Sequence, residues 1–208
     1  MDNNNEITIV KKEPALPSDF KKIASSIFDI FEMFAVCTAV IMLLFSYVAR
    51  LTVVDGGSME DTLHNNDYLI VHSLGYTPEQ GDVVVIQKTS SLYFPHPIIK
   101  RVIAVEGQTV DIDYSTWTVY VDGNPLDEPY ANLEGYTFQP SPEDPRYLQF
   151  PLTVEEGKIF VMGDHRNHSS DSRVADIGQI DVRCVVGRAV LRILPFEKFG
   201  VVERAQYE

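Results

Sequence analysis

A serine that follows two glycines is the first feature of this 208-residue sequence with the chemistry of a nucleophile. Gly56 and Gly57 stand directly before Ser58, and glycines allow the close backbone approach that an exposed nucleophile and an extended peptide both need. A Gly-Gly-Ser stretch is also common in plain turns. Ser58 is therefore a candidate nucleophile only if a base lies beside it.

A lysine inside an apolar segment is the candidate base. Residues 98–105 read Ile-Ile-Lys-Arg-Val-Ile-Ala-Val, and the period of two along a strand puts Lys100 and Arg101 on opposite faces, so one of the two cations must face apolar neighbours. An amine with a pKa of about 10.4 is a poor base at neutral pH, but burial lowers that pKa. A neutral Lys100 can take the proton of a serine hydroxyl, and such a pair needs no histidine. The alternative is an edge strand on which both side chains reach water.

A third segment is dense in polar groups. Residues 163–173 read Gly-Asp-His-Arg-Asn-His-Ser-Ser-Asp-Ser-Arg, with two acids, two arginines and three serines. Pairing of Asp with Arg predicts an ordered loop of the kind that supports a site. A solvated surface loop is one alternative. A metal site at His165 and His168 is another, but no cysteine or further histidine stands at ligand spacing, and we predict no metal.

An uncharged segment precedes all of these residues in the sequence. Residues 33–49 carry no charge and are long enough to cross the hydrocarbon core of a bilayer as a helix. Four lysines precede the segment, whereas Arg50 after it is followed by acids, and this asymmetry predicts a cytoplasmic N-terminus. We predict a cytoplasmic tail over residues 1–28, a transmembrane anchor over residues 29–49 and an extracytoplasmic domain over residues 50–208. One alternative is a buried core helix. Another is a cleavable signal peptide, but this segment lacks the small residues of a signal-peptide cleavage site.

Short β-branched and aromatic runs between turn residues predict that the outer domain is mostly β. The predicted strands cover residues 68–72, 82–87, 98–105, 109–113, 117–121, 158–162 and 184–193. Six prolines between residues 124 and 151 disfavour central strands in that part. We therefore expect a catalytic core, residues 50–107 and 157–200, interrupted by an inserted cap over residues 108–156.

Composition excludes some partners. Thirty acidic against 17 basic residues give a net charge of -13, and a surface of that sign repels phosphate backbones, so we predict no nucleic-acid partner. The two cysteines do not encode a disulfide framework, because one lies within the apolar segment. The sequence implies no cofactor.

Four segments, in this order behind one anchor, resemble the sequence boxes of bacterial type I signal peptidases: Gly-Gly-Ser-Met at 56–59, Gly-Asp-Val-Val-Val at 81–85, Lys-Arg-Val-Ile at 100–103 and the polar segment 163–173. The resemblance implies an antiparallel β core of the signal-peptidase type with an inserted cap, preceded by one transmembrane helix. It implies Ser58 as the nucleophile and Lys100 as the general base. Ser169 would then hydrogen-bond the lysine, while Asp171 and Arg173 would brace the site.

The same resemblance implies which residues contact the substrate. The resemblance implies that the backbone amide of Ser58 binds the oxyanion, and Gly56 stands at the position where some family members have a hydroxyl that helps it. A shallow apolar pocket for a small side chain is implied near Val54, Met59, Leu63 and Ile99. Two residues depart from the family pattern, since Asp61 replaces a common proline and His165 replaces a common asparagine. A carboxylate close to Lys100 would raise the pKa of the amine.

The function that the resemblance implies is removal of N-terminal signal peptides from exported preproteins, after small residues at A-x-A sites. The partners would be preproteins that emerge from the export machinery and the lipid bilayer of a bacterial cell membrane. The alternative is an inactive membrane-tethered binding domain of the same fold. The active enzyme requires Ser58 and Lys100 to lie within hydrogen-bond reach of each other, and the inactive domain does not. A self-cleaving repressor-type peptidase is disfavoured, because the chain has an anchor and no basic DNA-binding segment.

Overall fold

The computed structural model of the protein describes residues 18–47, 49–87, 96–134, 140–141 and 143–207. Residues 1–17, which are most of the predicted cytoplasmic tail, lie outside the described residues. The chain divides into two compact units, residues 1–43 and residues 44–208.

One long helix, α1 (Ser18–Tyr47), belongs to the N-terminal part of the chain. Its segment Ser26–Leu43 is apolar and long enough to cross a membrane, and none of it is buried. The helix begins before residue 29, the predicted start of the anchor, because Ser-Asp is a sequence that favours a helix start. At the other end, Ala49 already belongs to a strand and not to the anchor.

Short strands make up the second unit. The described strands are β1 (Ala49–Val53), β2 (Tyr68–His72), β3 (Val83–Ile86), β4 (Ile98–Val105), β5 (Thr109–Asp113), β6 (Thr118–Val121), β7 (Asn124–Pro125), β8 (Leu152–Thr153), β9 (Lys158–Met162), β10 (Ile180–Asp181), β11 (Val185–Leu194) and β12 (Gly200–Val201). Short 3₁₀ helices lie at Arg166–His168, Val182–Cys184 and Phe196–Lys198.

The strands form two antiparallel sheets. The larger sheet has the order β1-β2-β11-β3-β4-β9-β10 with β12 paired to β11, and the smaller one has the order β7-β6-β5-β8. The strands of the smaller sheet all lie within the segment 108–156. The prediction of a mostly β, antiparallel chain behind one N-terminal apolar helix is confirmed.

The sequence predicted most long strands closely. Strands β2, β4, β5 and β9 have the predicted bounds. Strand β6 differs from its prediction by one residue at its start, and β3 and β11 differ by one residue at each end. Strand β1 is not among the predicted strands, because its residues follow the apolar segment with no turn residue between them.

Strand β4 is an interior strand between β3 and β9, so the edge-strand alternative is wrong. Its register pairs Lys100 with Val84, and Arg101 with both Val83 and Met162. Lys100 is 4% exposed and Arg101 is 2% exposed, so both faces of the strand bury a cation. Interior strands of this kind are normally apolar, and each cation therefore needs either a partner or a shifted pKa.

An apolar cluster joins the two sheets beside β4. Ile103, Phe160 and Met162 come from the larger sheet, and Val110 and Val119 come from the smaller one. Phe160 is 0% exposed. The cluster fixes β9, and the polar segment that follows Met162 therefore begins from a packed strand.

Truncation of Phe160 should test this cluster. We expect Phe160→Ala to lower the free energy of unfolding by about 3–5 kcal/mol, because it removes a buried ring and leaves a cavity. Leu74→Ala is the control, since Leu74 is 58% exposed, and it should change stability by less than about 0.5 kcal/mol. Chemical unfolding in detergent measures both, and equal effects would contradict the assignment of Phe160 to the core.

Candidate active site

Ser58 lies in the loop between β1 and β2. The loop closes on itself, because the Val54 N–H donates to the Asp67 carbonyl oxygen (2.8 Å) and the Asn66 N–H donates to the Val54 carbonyl oxygen (2.9 Å). Met59, directly after the serine, is 1% exposed and anchors the loop in the core. The loop therefore presents Ser58 from a fixed backbone.

The amine of Lys100 meets the hydroxyl of Ser58. Lys100 Nζ donates to Ser58 Oγ at 2.6 Å and to the carbonyl oxygen of Ile99 at 3.1 Å. This is the hydrogen-bond reach that the transfer of a proton from the serine to the amine requires.

Burial sets the protonation state of Lys100. Desolvation lowers the pKa of its amine from 10.5 to about 8, and the positive charge of Arg173 acts in the same direction. The carboxylates of Asp171 and Asp164 oppose this shift. The neutral form of Lys100 is therefore accessible near neutral pH, and its share grows as the pH rises towards 8.

Asp171 and Arg173 form a buried pair in the polar segment. Arg173 donates from Nε to Asp171 Oδ1 and from Nη2 to Oδ2, both at 2.8 Å, and the Gly163 N–H donates to Oδ2 at 3.0 Å. Burial alone would raise the pKa of Asp171, but the guanidinium of Arg173 outweighs it and holds the pKa below its ordinary value. The carboxylate is therefore charged at working pH and fixes the start of the loop.

Asp164 joins three segments of the site. Arg101 donates from Nε to Asp164 Oδ1 (2.9 Å) and from Nη2 to Oδ2 (2.7 Å), and Thr62 Oγ1 donates to Oδ2 at 2.5 Å. Asp164 is 0% exposed. One carboxylate thus ties the Ser58 loop, the strand of Lys100 and the polar segment together.

The backbone of the polar segment also contacts Ser58 directly. The His165 N–H donates to the Ser58 carbonyl oxygen at 3.1 Å. A Cβ on Gly163 would overlap both the Ser58 carbonyl oxygen and the side chain of Ser169. Only glycine fits between the two segments at this position.

The chain matches known proteins over most of its length. A family model described as "Signal peptidase, peptidase S26" matches residues 27–194. The chain belongs to this family. It is 32% identical over 193 residues to the "Probable signal peptidase I-1" of Synechocystis sp., across 89% of each chain. It is 32% identical over 219 residues to the signal peptidase I of Mycobacterium tuberculosis, across 81% of this chain and 74% of that one.

A crystal structure of a signal peptidase I from Enterococcus faecalis V583 is also similar, with 28% sequence identity and a TM-score of 0.40. The match covers 54% of this chain and 97% of that chain. The resemblance predicted from the sequence boxes is confirmed by the family match, and the protein is a peptidase.

Ser169 lies against Gly163, close to the loop of Ser58, in the structure of the peptidase. The resemblance implied a hydrogen bond between Ser169 and Lys100, and a hydrogen bond from the Ser169 side chain is among the causes that lower the pKa of Asp171. The Lys100 amine bonds Ser58 and the Ile99 carbonyl. The role of Ser169 as a hydrogen-bond partner of Lys100 therefore stays a prediction.

Neither of the two departures from the family pattern, Asp61 and His165, is among the groups that shift the pKa of Lys100. The carboxylates that raise the pKa of Lys100 are those of Asp171 and Asp164, and Asp61 is not among them. Asp61 accepts a hydrogen bond from Asn132 Nδ2 at 3.3 Å. The His165 ring lies beside that of His168, with centroids 4.8 Å apart. Among the described residues, no group of three or more His, Cys, Asp or Glu side chains is arranged to hold a metal ion.

The four residues predicted to form a substrate pocket lie in one apolar cluster. Their exposed fractions range from 1% to 8%, and the residues are Val54, Met59, Leu63 and Ile99. The cluster also contains Val202, which the sequence gave no reason to place there. These side chains pack together around the base of the Ser58 loop.

Sequence reasoning missed the residues that hold the dyad in place. It treated Arg101 as a competitor of Lys100, gave Asp164 no separate role, and did not consider Thr62. The signal was present in the strand itself, because a second cation in an apolar strand implies a buried acid elsewhere in the chain. The spacing of residues in the sequence did not identify Asp164 as that acid.

Removal of Arg173 should reveal the cost of an unpaired buried carboxylate. We expect Arg173→Ala to lower the free energy of unfolding by about 3–5 kcal/mol, because Asp171 stays buried without its partner. The chain offers a matched control in Arg183, which pairs with Asp181 at the same spacing but has an 87% exposed side chain. Arg183→Ala should cost less than about 1 kcal/mol. Chemical unfolding measures both, and similar losses would contradict the role of burial.

Burial of the Lys100 amine should lower the free energy of unfolding at neutral pH. The folded chain lowers the pKa of Lys100 from 10.5 to about 8, which corresponds to about 3 kcal/mol of disfavour for the ammonium form. Between pH 8 and pH 10.5 the unfolded chain holds a proton that the folded chain has lost, so the free energy of unfolding should rise with pH in this window.

The variant Lys100→Met should be more stable than the native chain at pH 7 and should lack this rise. Lys198→Met, at an exposed lysine, is the control and should keep the rise. The measurement is chemical unfolding at several pH values. A native chain and a Lys100→Met variant with parallel pH profiles would show that Lys100 is not responsible.

Proposed function

We propose that the peptidase is a serine endopeptidase that removes N-terminal signal peptides from exported preproteins. The observation that carries the proposal is the 2.6 Å hydrogen bond between Lys100 Nζ and Ser58 Oγ, at a lysine whose pKa burial has lowered. The relatives named signal peptidase I support the same activity.

The chemistry requires only these two side chains and water. Neutral Lys100 accepts the Ser58 proton as Oγ attacks the scissile carbonyl carbon, and the resulting ammonium then protonates the leaving amine. The acyl-enzyme keeps the signal peptide on Ser58. Lys100, neutral again, takes a proton from water, whose oxygen attacks the ester carbonyl carbon. The ammonium returns a proton to Ser58 Oγ as the ester bond breaks, and the signal peptide leaves with a new carboxyl group.

We assign the oxyanion to the backbone amide of Ser58. Gly56 has no hydroxyl to offer, and its own N–H donates to Asn65 Oδ1 at 3.0 Å. A Cβ at Gly56 would meet no atom within 4 Å, so this position gives the scissile carbonyl room to approach. Gly56 therefore contributes open space beside the nucleophile, and Ser58 supplies the donor.

The substrate would bind as an added β-strand near Val54 and Ile99, so that backbone pairing tolerates many sequences. The side chains of Val54, Met59, Leu63 and Ile99 are apolar and form one buried cluster beside the Ser58 loop. An apolar contact surface of this kind suits small apolar residues, as at A-x-A sites.

The proposed location is a bacterial cell membrane, crossed once by α1, with the N-terminus in the cytoplasm and the catalytic domain outside. The lysines before the apolar segment support this orientation. The partners would be the lipid bilayer and preproteins that emerge from the export machinery. Enzyme and substrate would share the membrane, which raises their effective concentration. No observation favours the inactive binding domain.

Cleavage of a preprotein with an A-x-A site tests the proposal. The native chain in detergent should cut after the site, with kcat/KM rising with pH to a limb near pH 8, while Ser58→Ala and Lys100→Ala should lose about 10³-fold or more. Ser170→Ala and Lys198→Ala, at exposed positions, should retain activity. Mass spectrometry of the products identifies the cut. A folded native chain that does not cut would overturn the activity, and undiminished cleavage by either dyad variant would overturn the mechanism.

A further inference from the structure

Arg101 is held by two groups besides Asp164. Its Nη1 donates to the carbonyl oxygen of Gly81 at 2.9 Å, and its guanidinium carbon lies 4.0 Å from the centroid of the Tyr130 ring, within the range of a cation–π contact. These two contacts fix the plane in which the guanidinium meets the Asp164 carboxylate.

Residues 202–207, which the mechanism does not use, contact both of these groups. The Ala205 N–H donates to the Gly81 carbonyl oxygen at 3.1 Å, so this oxygen accepts from Arg101 and from the segment at once. A Cβ at Gly81 would overlap the Ala205 carbonyl oxygen, and the two backbones therefore approach as closely as glycine allows.

Tyr207 contacts Tyr130, the second of the two groups that hold Arg101. Its hydroxyl lies 2.5 Å from that of Tyr130, which lies 2.7 Å from Glu128 Oε1. A hydroxyl has one proton, so Tyr130 donates to the carboxylate and Tyr207 donates to Tyr130. Burial raises the pKa of Tyr207 to about 12, and the donor keeps its proton at working pH. Glu128 is held in turn by Arg166, with bonds of 2.6 and 2.8 Å.

The segment is anchored along its length. Val202 is 5% exposed and packs in the same cluster as Met59, the neighbour of the nucleophile. Arg204 donates from Nε to Oδ1 of the fully buried Asp82 at 2.7 Å. Residues 202–207, called the C-terminal strap below, are therefore held in place against Gly81, Asp82 and Tyr130.

We propose that the C-terminal strap clamps Arg101 and that Tyr207 is a positioning residue for the Ser58–Lys100 dyad. The inference rests on the proposed serine/lysine mechanism. Arg101 is the neighbour of Lys100 on β4, and its partner Asp164 holds Thr62 in the Ser58 loop. Loss of the Tyr207 hydroxyl frees the Tyr130 ring, loosens Arg101 and allows the two dyad residues to move apart.

The same displacement changes the charge around the base. Asp171, Asp164 and Arg173 are the charged groups that act on Lys100, and Asp164 favours its ammonium form. Arg101 neutralises Asp164, and a looser pair exposes Lys100 to more of that negative charge. The strap thus acts on the proton affinity of the base as well as on the distance to Ser58.

Tyr207→Phe is the deciding variant, because it keeps the ring and removes only the hydroxyl. We expect it to lower kcat by about tenfold with KM unchanged, to shift the rising limb of the pH–rate profile to higher pH, and to leave the thermal midpoint nearly unchanged. Tyr207→Ala should lower kcat by up to about 100-fold. Gln206→Ala, at the exposed neighbouring position, should behave as the native chain.

A second readout separates this inference from the proposed activity. The pKa of Lys100, followed by NMR of ¹³C-labelled lysine side chains and assigned by its loss in Lys100→Met, should rise in Tyr207→Phe and stay constant in Gln206→Ala. This measurement needs no substrate. A Tyr207→Phe protein with native kcat and native Lys100 pKa would show that the strap is merely structural, whereas absence of cleavage by the native chain would overturn the proposed function alone.

Discussion

The burial of one amine, that of Lys100, is the constraint on which the site depends. Desolvation favours the neutral amine, but any free carboxylate nearby would restore the ammonium form. The two carboxylates that act on Lys100 are Asp171 and Asp164, and each is bound in two hydrogen bonds by its own arginine. The arginines therefore do more than brace the loop. They keep the acids that organise the site from cancelling the effect of burial on the base.

The same constraint explains the construction of β4. Adjacent residues on a strand face opposite sides, and both faces of this strand are buried. A buried cation needs either hydrogen-bonding partners or a lowered pKa, and the two adjacent cations of β4 differ in which of these they have. Arg101 remains charged and has three hydrogen bonds and a cation–π contact, whereas Lys100 has two hydrogen bonds and gives up part of its charge.

The sequence predicted what depends on local patterns and missed what depends on pairing across the chain. Strand bounds follow from side-chain periodicity, and the bounds of β4 and β9 were therefore predictable. Ser58 and Lys100 were found because the types and order of their surroundings resemble a known family. The ion pair of Arg101 with Asp164 was not, since periodicity reports that a side chain is buried but not which partner it meets. The position of the Ser169 hydroxyl depends in the same way on contacts across the chain, because Gly163 packs closely against both Ser169 and the Ser58 loop.

The contact between Thr62 and Asp164 has a consequence for how the protein is made. The two residues are 102 positions apart, and Asp164 also binds Arg101. A ribosome that has finished the strand of Lys100 has therefore produced Ser58 and Lys100 without the carboxylate that ties their segments together. The contacts that align the two side chains can be complete only after the polar segment has been synthesised and packed.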